Sequence, residues 1–155
     1  MNEDRLIIKP GAPLRGTTPV PGDKSISHRA VLLGMLADGV SQVRGWLAAG
    51  DTEATLGAAR ALGVRIDRDD AHTLTIHGGC LQPPAEPLNL VNAGTGFRLL
   101  AGIMAGQPFA SVLDGSGQLR RRPMKRIIDP LAQMGAQITA ENHRAPLHFR
   151  PAQLR

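Results

Sequence analysis

The chain has 155 residues, 42% hydrophobic and 20% charged, enough for one domain with a real core. That balance excludes a disordered tail, and no apolar run is long enough to cross a bilayer. A net charge of +5 suits an anionic ligand, while 3% aromatic residues and no Tyr leave few stacking platforms for single-stranded nucleic acid.

The first ten residues, MNEDRLIIKP, put acidic residues ahead of a short apolar triplet, which is unlike a signal peptide. Leu6–Ile8 reads as a short strand. Pro10, Gly11, Pro13, Gly16, Pro19, Pro21 and Gly22 then forbid a helix and make Lys9–Gly22 an extended linker or crossover. A helix is expected from Ser25 to Ala37, with Ile26, Ala30, Leu33 and Ala37 on one face. Ser41–Trp46 reads as a strand. Asp51 is a plausible N-cap, with Glu53 in the first turn, for a helix ending at Gly63. Val64–Ile66 and Thr73–Ile76 flank a polar segment and read as a hairpin. Cys80 is a single cysteine before the Pro83, Pro84 and Pro87 connection. It excludes an intramolecular disulfide and a cysteine-rich zinc site, and it fits a reducing cytosol.

The order then recurs. Thr95–Ala105 reads as a helix, Phe109–Leu113 as a strand, and Pro123–Met134 as a helix with Pro at its first position. Pro130 removes the hydrogen bond to the Arg126 carbonyl, so a kink or a loose first turn is expected there. Gln137–Thr139 and Leu147–Phe149 form a second terminal hairpin. Val43 matches Val112, and Leu62-Gly63-Val64 matches Met134-Gly135-Ala136, at offsets of about 70 residues. The expected fold class is α/β, made of repeated β-α-β-α-β-β units. The division is 1–22, an N-terminal strand and linker, and 23–155, a partial domain with repeats at about 23–82 and 88–150.

Three stretches could carry chemistry. In Pro21-Gly22-Asp23-Lys24-Ser25-Ile26-Ser27-His28-Arg29, a Gly-bearing loop feeds a helix start. Free backbone N–H groups, the positive end of the helix dipole, one hydroxyl and two cations make an anion cradle. The bland alternative is that Ser25 is an N-cap and the bases are merely solvated. This is not a Walker A loop, because its spacing is absent. In Asn92-Ala93-Gly94-Thr95-Gly96-Phe97-Arg98, Gly94 lets an anion approach the main chain, and Thr95 could cap the helix. An ordinary Gly-rich turn is the alternative. Both loops occupy the same place in their repeats, so they should lie at the same helix ends.

The third stretch, Gly115 to Arg126, carries five bases in seven residues. It could be a nucleic-acid patch or a solvated helix start. Cations at a helix N-terminus oppose the dipole, and that local conflict points instead to an anionic ligand. The five histidines show no metal-ligand spacing, so no metal is expected.

Taken in series, PGDKSISHRAVLL, NAGTGFRLL and LRRRPMKRIIDPLAQMGA resemble the 3-phosphoshikimate 1-carboxyvinyltransferase (EPSP synthase) family, from about Ile8 to Phe149. The resemblance implies transfer of the enolpyruvyl group of phosphoenolpyruvate to the 5-hydroxyl of shikimate 3-phosphate, with release of phosphate and no cofactor. It implies that Lys24, Ser25 and Arg29 hold shikimate 3-phosphate and that Lys24 also reaches phosphoenolpyruvate. It further implies a phosphoenolpyruvate contact from the Gly94 backbone, a clamp from Arg122, and catalytic roles for Lys24 and Arg122. Asp51 matches a family acid near the hinge side.

The family usually reads Gly-Asp-x-Ser ahead of the Leu-Arg run, where this chain has Gly115-Ser116-Gly117-Gln118. The sister enzymes acting on UDP-N-acetylglucosamine have Lys-Asn in place of Lys-Ser and a cysteine in the arginine loop, which ranks that reading lower. A non-catalytic anion-binding module is the other alternative. Family members have two domains of three repeats each, so two repeats imply a truncated N-terminal portion, inactive alone. The resemblance also implies a cytoplasmic protein, monomeric at full length, with neither nucleic acid nor membrane as partner.

Overall fold

The computed structural model describes residues 6–13 and 15–155; the sequence reading of Met1–Arg5 lies outside them. The elements run α1 (Lys24–Leu36), β1 (Gly39–Arg44), α2 (Gly50–Ala61), β2 (Arg65–Arg68), β3 (Thr73–Gly78), β4 (Leu88–Asn89), α3 (Gly94–Ala105), β5 (Ser111–Asp114), α4 (Gly117–Arg120), α5 (Lys125–Gln133), β6 (Gln137–Thr139) and β7 (Leu147–Arg150), with a 3-10 turn at Glu141–His143.

The helices are matched to two small sheets, ordered β1-β3-β2 and β4-β5-β7-β6. In each, the last strand of the unit lies in the middle and pairs antiparallel with both neighbours. The repeat extends to single hydrogen bonds. Val64 N–H donates to the Ala59 carbonyl at 3.2 Å, and Ala136 N–H donates to the Leu131 carbonyl at 3.0 Å. Between helix and strand sit Gly63 (φ +86°) and Gly135 (φ +97°), in backbone that L side chains rarely adopt. The Leu-Gly-Val and Met-Gly-Ala landmarks thus mark the same turn in each unit.

α1, α2 and α3 fill the core. Val31, Met35, Leu56, Ala59, Phe97, Leu100 and Met104 pack with Leu74 and Ile76 of the first sheet and Leu113, Leu147 and Phe149 of the second. α1 does not bury the face expected of it. Ile26 and Leu33 are 68% and 66% exposed, while Ser27, His28, Val31, Leu32, Gly34 and Met35 are buried. The helix is apolar on two sides, and the side with small residues admits closer neighbours.

Other expectations also need correction. Leu6–Ile8 forms no strand and is 75–88% exposed. In the second sheet β4 lies parallel beside β5, whereas no strand among the described residues flanks β1 in the matching place. An unpaired strand leaves its backbone groups to water and gains nothing from order. β1 begins and ends two residues early, whereas β5 begins two residues late and ends one late. Ala49, not Asp51, is the N-cap of α2, where Thr52 Oγ1 accepts from the Ala49 N–H at 3.1 Å. Pro123 stands two residues before α5 rather than at its first position, and α5 continues through Pro130 to Gln133. β4, of two residues, and α4, of four, went unforeseen because each spans about one period of its pattern, too short for a periodicity to recur.

Candidate functional site

The three core helices run parallel. Lys24 of α1 pairs with Asp51 of α2, and one turn on His28 meets Thr55. α1 and α3 share an apolar groove of about 300 Å³ between Leu32, Leu33 and Leu36 on one side and Leu99 and Ile103 on the other, with Arg29 at its end. Three helix N-termini therefore open at one end of the core, where unpaired N–H groups and the dipoles favour an anion. Neither α1 nor α3 has an acidic residue in its first turn.

Asp23 caps α1, accepting from the Ile26 N–H at 2.7 Å. Ser25 is therefore not the cap, and its hydroxyl sits in the first turn uncommitted to it. Ser27 fixes the loop from beneath, donating to the Asp23 carbonyl at 2.7 Å and accepting from the Leu47 N–H at 2.9 Å. Lys24 Nζ lies 3.0 Å from Asp51 Oδ2. Arg29 is exposed and bonds only to the Ser25 carbonyl of its own helix, at 3.1 Å.

α3 starts against a buried junction. His28 is fully buried, with Nδ1 2.8 Å from Thr55 Oγ1 and Nε2 unpartnered. A Cβ at Gly96 would collide with Thr55 Oγ1 and lie 3.1 Å from His28 Nδ1, so only a residue without one lets α3 come this close. Thr95 does not cap α3; its N-cap is Ala93, with no side-chain bond.

Burial pushes the His28 imidazole below its ordinary value; Asp51 pulls it back up, while Lys24 and Arg29 lower it further. The unfolded chain therefore binds a proton at His28 more readily than the folded one. The stability this group contributes is present above about pH 6.5 and lost as pH falls below it. The chain is expected to melt at a lower temperature at pH 5 than at pH 7, and His28→Gln to flatten that dependence. An unchanged dependence in the variant would assign the effect to other groups.

Above the start of α3 lie guanidinium groups. Arg98 Nη1 donates to the Gly94 carbonyl at 3.1 Å, and a Cβ at Gly94 would stand 2.5 Å from Arg122 Nη1 and 3.0 Å from Arg98 Nη1. Arg98, Arg122, Pro123, Arg126 and Ile127 line a cavity of about 460 Å³. Burial, then the neighbouring Arg122 and Arg126 charges, depress the Arg98 pKa. The loop before Arg122 is fixed by Ser116, which caps α4, bonds to Asn92 Oδ1, and donates its N–H to the Val91 carbonyl at 2.9 Å. The Gly115–Gln118 departure thus still yields an ordered turn.

Lys24, Ser25, Arg29, Gly94 and Arg122 accordingly come to the same end of one helix layer. Arg98 and Arg126, which line this cavity beside Arg122, were not singled out in the sequence; for Arg98 the i,i+4 spacing from Gly94 on one helix was the available signal. Cys80 is exposed and lines neither the α1–α3 groove nor the arginine cavity. Among the described residues no cluster of His, Cys, Asp or Glu could hold a metal, and no helix is long and apolar enough to span a membrane.

The family model for EPSP synthase (3-phosphoshikimate 1-carboxyvinyltransferase) matches residues 8–155. The chain belongs to this family. A 3-phosphoshikimate 1-carboxyvinyltransferase of Acidithiobacillus ferrooxidans is 53% identical over 148 residues, covering 94% of this chain and 34% of the relative. That of Pelobacter propionicus is 53% identical over 147 residues, with 92% and 34% covered. The EPSP synthase structure from Acinetobacter baumannii superposes with a TM-score of 0.85 at 43% identity, covering 90% of this chain and 33% of that one. The chain therefore spans about a third of the length of the relatives it matches.

Proposed function

We propose that this chain supplies a cationic wall of an enolpyruvyl transferase site, whose reaction joins phosphoenolpyruvate to the 5-hydroxyl of shikimate 3-phosphate and releases phosphate. The observation that carries this reading is the convergence of three helix N-termini with Lys24, Arg29, Arg98, Arg122 and Arg126 at one end of the core. Lys24, Ser25 and Arg29 hold shikimate 3-phosphate, and Lys24 also reaches phosphoenolpyruvate. The Gly94 backbone and Arg122 hold phosphoenolpyruvate. Lys24 and Arg122 act catalytically by offsetting charge that grows on carboxylate and phosphate during addition and elimination.

The reaction moves one proton onto carbon and another off a hydroxyl. The carboxylates on these helix starts are committed, Asp23 to its cap, Asp51 to Lys24 and Glu53 to Arg68. This chain accordingly contributes binding and charge, not proton transfer, and on its own should bind without turnover. The same reading keeps 1–22 as a linker and 23–155 as a partial domain of two repeats. It places the protein in the cytoplasm, monomeric at full length, with no nucleic-acid or membrane partner.

Titration separates this from the alternatives. Shikimate 3-phosphate should bind saturably, and shikimate and an oligonucleotide should bind at least tenfold more weakly. Tighter binding of the oligonucleotide would make the Arg120–Arg126 run a nucleic-acid patch and overturn the proposal.

A further inference from the structure

The five bases between Arg120 and Arg126 are not equivalent. Arg120 is paired with Asp114, and Lys125 with Asp129 at 2.7 Å. Arg121 and Arg126 are both exposed, but Arg121 does not line the cavity. Arg122 and Arg126, four apart, line it together with Arg98 from α3. None of these three forms an ion pair among the described residues, and the one hydrogen bond found for their side chains there is from Arg98 Nη1 to the Gly94 carbonyl. Three guanidinium groups held together without a counter-charge repel one another, and Arg126 in the first turn of α5 also opposes its dipole. Structural need does not account for that cost, since Lys125 beside it is neutralised within its own helix.

We infer that Arg126 is a substrate-binding residue, completing with Arg98 and Arg122 a three-guanidinium seat for an anion that carries two acidic groups. A guanidinium fork matches a carboxylate or a phosphate in pairs of parallel hydrogen bonds. One monoanion neutralises one of the three cations, whereas a molecule with both a phosphate and a carboxylate engages all of them. A cavity of about 460 Å³ is of the size that holds small ligands. The inference rests on the proposed transferase reading and deepens it, by adding Arg126 to the phosphoenolpyruvate subsite.

The test compares three variants with equal loss of charge, Arg121→Gln, Arg122→Gln and Arg126→Gln. Each is titrated calorimetrically at low ionic strength with phosphoenolpyruvate and with inorganic phosphate, because salt would screen the difference. Arg126→Gln should weaken phosphoenolpyruvate binding about tenfold or more, and inorganic phosphate binding less. Arg121→Gln should change either by no more than about twofold, and Arg126→Lys should recover part of the loss. If Arg126→Gln behaves like Arg121→Gln while Arg122→Gln abolishes binding, the inference fails and the transferase reading stands. If Arg126→Gln weakens both anions equally and the unaltered chain does not distinguish them, the seat stands and its assignment to phosphoenolpyruvate fails. No binding of either anion by the unaltered chain overturns the inference.

Discussion

Gly96→Ala should lower stability by about 1–3 kcal/mol, a fall in melting temperature of roughly 3–10 °C. An alanine inside a helix would by itself gain up to about 1 kcal/mol over glycine. At Gly96 that gain is outweighed, because the added methyl meets Thr55 Oγ1 and the His28 ring where α1, α2 and α3 close on one another. Gly102 lies in the same helix with nothing within 4 Å of its would-be Cβ. Gly102→Ala should therefore stabilise slightly, which isolates the junction as the cause. Thr55→Ala removes the colliding oxygen, so the double variant should be more stable than the sum of the single changes predicts. A Gly96→Ala chain that melts with Gly102→Ala would show that the three helix starts are not locked here.

Arg29→Ala should weaken shikimate 3-phosphate binding tenfold to a hundredfold and leave the fold unchanged. A charge-assisted hydrogen bond is worth about 1.5–3 kcal/mol, and each 1.4 kcal/mol is about tenfold. Nothing in the core depends on this side chain, which is exposed and bonds only to the carbonyl one turn back. Ser25→Ala should follow in the same direction with a smaller loss. Unchanged binding with a sharp fall in melting temperature would make these residues part of the helix start and nothing more.

The repeat was legible because its signals are local. A glycine with positive φ after a helix, followed by a β-branched or small apolar residue, is written into a few adjacent positions, as at Gly63 and Gly135. The two terminal hairpins were legible for the same reason. The buried face of α1 was not. Ile26 and Leu33 satisfy the helical period as well as Val31 and Met35 do, and periodicity alone does not say which stripe meets the sheet. On the buried side Ser27 Oγ and His28 Nδ1 find partners, in Leu47 and Thr55, while His28 Nε2 has none. That information is tertiary.

The site divides in the same way. Lys24, Ser25, Arg29 and Gly94 were visible because a glycine loop before a helix start is a local pattern with a chemical meaning. Arg122 was carried by resemblance, not by spacing. Arg126 was hidden in a run of bases; the pairing of Arg120 with Asp114 and of Lys125 with Asp129, and a cavity wall that Arg121 does not share, separate it from its neighbours. The Ser25 alternative was decided by Asp23, which takes the capping role two residues earlier.

The central claim is that two helix starts, each beginning its own repeat, form one anion site. The direct measurement is a titration with phosphoenolpyruvate, in the presence of saturating shikimate 3-phosphate, followed through the backbone amide resonances of the chain. The account predicts that the amides of Lys24–Ser25 and of Gly94–Thr95 shift together and saturate with one dissociation constant. Shifts confined to one loop, or two loops saturating with separate constants, would contradict it.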